Sequence, residues 1–82
     1  MYEISYRKNN LGGYMELSYK RLFKKLIDLD MKHNDLMEKA NVSRSTFYKL
    51  KNGENVTTDI LLRICDALDC DISEIMECIK ND

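Results

Sequence analysis

Apolar and polar residues alternate over residues 2–7, with Tyr2, Ile4 and Tyr6 on one side, a pattern that predicts a strand. Asn9, Asn10, Gly12 and Gly13 then cluster between Lys8 and Gly13 as a turn, and Tyr14–Leu17 reads as the return strand of a hairpin. From Ser18 the period changes. Tyr19, Leu22, Phe23, Leu26 and Ile27 recur at helical spacing, so an amphipathic helix is expected from a Ser18 N-cap to about Leu29 or Asp30. Its Lys20, Arg21, Lys24 and Lys25 are expected to stay in water. A second helix, capped within Lys32–Asn34, turns Leu36, Met37 and Ala40 inward. Asn41-Val42-Ser43 is a tight turn, and Ser43 caps a third helix that runs through Lys51 with Phe47 and Leu50 buried. Asn52-Gly53 stops it. Thr57 or Thr58 caps a fourth helix with the stripe Ile60, Leu61, Ile64, Cys65 and Leu68. Asp71-Ile72-Ser73-Glu74 has capping-box spacing and predicts a fifth helix holding Ile75, Met76 and Ile79. The expected fold is therefore all-α, five helices over residues 18–82 behind an N-terminal extension, residues 1–17.

Length and composition narrow the choice. Eighty-two residues make one small domain, 44% hydrophobic and 33% charged, with no Pro and no Trp. No apolar run approaches the roughly 18 residues of a membrane span, and no secretory signal is visible. Cys65, Cys70 and Cys78 are an odd number without CxxC spacing, which argues against a disulfide framework or zinc knuckle and suits the cytoplasm. The net charge of −1 conceals a polarity. Residues 15–55 carry nine basic against six acidic side chains, whereas residues 56–82 carry two against seven. A basic front and an acidic back fit one face meeting an anionic polymer, although a solvated surface with chance asymmetry accounts for charge alone.

The stretch Asp35 to Gly53 changes that balance. Two short helices joined by a three-residue turn match the helix-turn-helix, whose second helix enters the DNA major groove. On a wheel, Phe47 and Leu50 take one side of that helix, and Arg44, Ser45, Tyr48 and Lys49 the other. Arg can hydrogen-bond guanine O6 and N7, Ser several groups, and Lys guanine or phosphate. No acid lies between Glu38 and Glu54, so nothing on this helix repels phosphate.

On these residues the chain resembles the Cro/cI-type, or xenobiotic-response-element-like, helix-turn-helix family. The resemblance rests on Leu36, Ala40, Val42, Ser43, Phe47 and Asn52-Gly53, followed by Leu61-Leu62-Arg63-Ile64, Ala67-Leu68 and Asp71-Ile72-Ser73-Glu74-Ile75. It spans residues 19–79 and is similar to compact single-domain bacterial regulators, implying a lambda-repressor-like DNA-binding fold. The resemblance implies that Ser43, Arg44, Ser45 and Lys49 face bases, with Thr46 and Asn52 on the DNA backbone. Tyr48 and Lys51 complete that helix's face. The place often held by a base-reading or phosphate-clamping Gln falls on His33, between Lys32 and Asn34, a departure from the family pattern. Asn41 stands where the family usually has Gly, which Asn can replace because it tolerates the left-handed region.

His33 has no second His or Cys at metal spacing, so neither a metal nor a cofactor is implied. Cys65 reads as a small core hydrophobe, and Cys70 and Cys78 as partly exposed thiols. There is no Walker loop, GxSxG or glycosidase-like carboxylate pair, and an enzyme is not expected. Two functional classes stand. One is a cytoplasmic, sequence-specific regulator binding double-stranded DNA as a homodimer. The other is a protein-interaction module on the same fold, such as an antitoxin-like or accessory factor, favoured by the pI of ≈ 5.8. Residues 1–14 lie outside the family pattern and are expected to act as an association arm. Met15 is an alternative translation start, since Leu11–Met15 can be encoded with a ribosome-binding string just before the ATG.

Overall fold

The computed structural model describes residues 6–8 and 14–81, with side chains over residues 15–80. In chain order it contains β1 (Tyr6–Lys8), β2 (Tyr14–Ser18), α1 (Lys20–Asp28), α2 (His33–Ala40), α3 (Arg44–Lys51), α4 (Thr58–Leu68), a 3₁₀ turn (Ile72–Glu74) and β3 (Glu77–Asn81). The expected hairpin is present as β1 and β2, paired antiparallel from Tyr6 opposite Glu16 to Lys8 opposite Tyr14. Tyr2, Ile4 and the turn residues Asn9, Asn10, Gly12 and Gly13 lie outside the described residues.

Four α-helices are present among the described residues, not five. The capping box of the expected fifth helix does form: the Asp71 carboxylate accepts the Ser73 N–H at 3.1 Å, and Glu74 accepts the Asp71 N–H at 2.9 Å. It closes only a 3₁₀ turn. The chain then leaves as β3, antiparallel to β2 from Ser18 opposite Glu77 to Tyr14 opposite Asn81, giving the strand order β1-β2-β3. A two-turn helix here would have been marginal, whereas pairing with β2 gives alternate residues of the strand backbone hydrogen bonds to a packed neighbour. Ile75, expected on a helix, is instead fully buried at the join, its carbonyl accepting the Leu22 N–H at 3.2 Å.

Two details of α1 also differ from expectation. Ser18 ends β2, and the N-cap position falls to buried Tyr19, though Ser18 Oγ still accepts the Lys20 N–H at 3.3 Å. Burial pushes the Tyr19 phenol pKa up, partly opposed by a backbone hydrogen bond with Val56. Ile27 is 78% exposed. It stands about 120° around the helix from the midline of Leu22 and Leu26, which hold the core-facing side.

The helices share one way of ending. Asp30, Asn41, Gly53 and Asp69 all adopt positive φ, between 51° and 74°. Behind each, the next N–H reaches back five residues: Met31 to Leu26, Val42 to Met37, Glu54 to Lys49 and Cys70 to Cys65. This is the Schellman motif, which caps the orphan carbonyls and turns the chain sharply. The motif also accounts for the half-buried Cys65 and Cys70, which make its apolar contact; burial raises both thiol pKa values, and all three cysteines are free. Four such turns fold the short helices around Leu22, Leu26, Leu36, Leu50, Ile64 and Ile75.

Candidate nucleic-acid interface

α2 opens at Lys32, whose backbone N–H donates to the Asp35 carboxylate at 3.3 Å. It ends at Asn41 (φ 55°, ψ 50°), after which Val42 is buried and Ser43 caps α3 by accepting the Thr46 N–H at 3.2 Å. The Ser43 hydroxyl also donates to Thr46 Oγ1 at 3.0 Å. α3 buries Phe47 and Leu50. That leaves Ser43, Arg44, Ser45, Tyr48, Lys49 and Lys51 exposed, with Thr46 and Asn52 half-buried. Thus a short, rigidly capped helix is held by one face and presents the other. Arg44 occupies its first turn, which contains no acid.

The N-terminus of α2 is drawn to the same side. The His33 ring packs 5.0 Å from Phe47 and 5.7 Å from Phe23, and Phe23 meets Phe47 edge-on at 5.7 Å. A depression of about 140 Å³ therefore brings together His33, Asn34, Arg44, Tyr48 and Lys51. Lys51 Nζ lies 5.5 Å from the centroid of the Tyr48 ring, near enough for a cation–π contact. Lys49 and Thr46 border a separate depression with Asn55 and Thr57 on the other flank of α3. Lys32 is exposed just before α2. The Asn52 amide is engaged locally, donating to Glu54 at 3.4 Å.

One positioning residue was not singled out from the sequence. Arg63 of α4 donates through Nη1 to the Asn41 carbonyl at 3.2 Å and pairs through Nη2 with Asp59 at 2.9 Å. It ties the turn between α2 and α3 to α4. The Asp59/Arg63 spacing of four residues was the available signal; the contact with Asn41 had none.

A family model, the Cro/C1-type helix-turn-helix DNA-binding domain, matches residues 21–81. The chain belongs to this family. Its matched span runs from α1 through β3, so β3 lies within the Cro/C1-type match while β1 and β2 precede it. Among solved structures, the chain is similar to the transcriptional regulator VanUg (form II), with 47% identity and a TM-score of 0.76, over 89% of this chain and 97% of that one. No curated protein sequence matches it. Among the described residues, no helix is long and apolar enough to cross a membrane, and no three metal-ligating side chains cluster.

Proposed function

We propose that this chain is a sequence-specific DNA-binding transcriptional regulator that lays residues 43–51 in the major groove and works as a homodimer in the cytoplasm. The observation that carries this reading is α3 itself: a Cro/C1-type helix whose buried side is Phe47 and Leu50 and whose exposed side is Arg44, Ser45, Tyr48 and Lys49. Ser43, Arg44, Ser45 and Lys49 read base edges. Lys32, His33, Asn34, Thr46, Lys51 and Asn52 hold the DNA backbone, with Tyr48 against the groove wall. Similarity to a transcriptional regulator supports the same role. A single helix reads only a few base pairs, so two copies on a two-fold site supply the specificity.

A salt titration of binding to duplex DNA tests this. Phosphate contacts release counterions, and log affinity should fall steeply with log salt. A flat dependence would overturn the DNA reading and leave the protein-interaction module, to which the acidic residues 56–82 are suited.

A further inference from the structure

The four basic residues of α1 are sorted by the fold into two rows. Arg21 Nε pairs with Glu77 at 2.7 Å while its Nη1 donates to the Ser73 carbonyl at 2.8 Å. Lys25 pairs with Glu74 at 3.1 Å, a contact that raises the lysine pKa. Both cations are thus spent on the acidic C-terminal segment. Lys20 and Lys24 are exposed and have no ion-pair partner among the described residues.

Their direction is fixed by Phe23. Its ring meets His33 and Phe47, so the Phe23 edge of α1 abuts the helix-turn-helix. Lys20 and Lys24 stand about 60° and 100° around the helix from Phe23, whereas Arg21 and Lys25 stand about 160° away. A surface depression of about 200 Å³ between β2, α1 and the end of α3 has Lys20 and Lys51 both on its lining, with Asn52 and Gly53. The first turn of α1 also contains no acid and opens with two cations, which works against the helix dipole. Local choices that oppose the fold mark functional positions.

We infer that Lys20 and Lys24 form a second phosphate-binding strip, continuous with Lys51, that grips the DNA backbone beside the segment read by α3. This rests on the DNA reading above and extends its footprint onto α1. The occupant is duplex DNA, because the two lysines carry no base-reading geometry of their own and lie along one ridge beside the proposed groove-reading helix.

The test compares two double variants of the full chain with equal change in charge, K20Q/K24Q and R21Q/K25Q. Fluorescence anisotropy measures binding of each to a labelled mixed-sequence duplex across a range of salt concentrations. K20Q/K24Q should reduce the magnitude of the log–log salt slope by about 1.8, that is 0.9 for each lost phosphate contact. R21Q/K25Q should leave the slope unchanged and lower the melting temperature, and K20R/K24R should restore the wild-type slope. Circular dichroism verifies that each variant is helical. A wild-type slope in K20Q/K24Q, or equal losses in both doubles, would overturn the strip while leaving the groove-reading helix intact. A wild-type chain with no salt-dependent binding would overturn both.

Discussion

At the residue scale, the left-handed helix ends and the tip of α3 make different demands. Gly53 sits at φ 74° with open space where a Cβ would stand. A side chain there meets no neighbour, so Gly53→Ala should cost only the backbone strain of the left-handed region, about 1 kcal/mol, in a thermal or denaturant melt. A loss several times larger would mean that the site is sterically closed. Arg44 is the converse case, an exposed side chain whose removal leaves the core untouched. Arg44→Ala is expected to weaken specific DNA binding by about 1–3 kcal/mol and to relax one operator position. Binding-site selection on wild type and variant would reveal the relaxed position, and unchanged affinity would remove Arg44 from the readout.

At the scale of elements, Phe47 joins α3 to α1 and to the start of α2 through its contacts with Phe23 and His33. Phe47→Ala should destabilise by about 3–5 kcal/mol, a large part of the roughly 5–15 kcal/mol expected for a domain; an unaltered melting midpoint would contradict its anchoring role. The 3₁₀ turn gives a pH signature. Ser73 holds Asp71 below its ordinary pKa through its hydroxyl and its N–H, while the Asp71 N–H and Lys25 do the same for Glu74. Groups depressed in the folded state stabilise it fully above the ordinary carboxylate range, near pH 4, and that stability is lost as pH falls through their folded values. The melting temperature should therefore drop on acidification, and Glu74→Gln should flatten that acid limb; parallel profiles would disprove the contribution. Helices α1 to α4 were legible in the sequence because their signals are local: a 3.6-residue apolar period, Ser43 and Thr57 as caps, and Asn52-Gly53 as a stop. β3 was not. Ile75, Met76 and Ile79 fit a helical spacing, and the partner that makes this segment a strand is β2, some sixty residues earlier. The same limit hid Arg63, whose bond to Asn41 spans 22 positions.

At the scale of the whole molecule, the sheet joins the two ends of the chain and sets what the N-terminal extension can do. β2 is the central strand, paired to β3 along its full length, and so belongs to the packed domain. The described part of β1, Tyr6–Lys8, forms one edge. Unpaired backbone groups on an edge invite another strand. Two copies related by a two-fold axis can pair such edges with each other and close the assembly. We therefore expect residues 1–14 to contribute to self-association and to be dispensable for the helical fold, since their removal leaves Met15–Ser18 opposite Glu77–Lys80. The predicted result of deleting them is unchanged helicity by circular dichroism, with a shift toward monomer mass in light scattering. DNA affinity should fall too, because a monomer loses the second half-site. Unchanged mass would refute the association role. Lost helicity would show instead that β1 and its flanks are needed to hold β2 against β3, making the three-stranded sheet a structural unit of the domain.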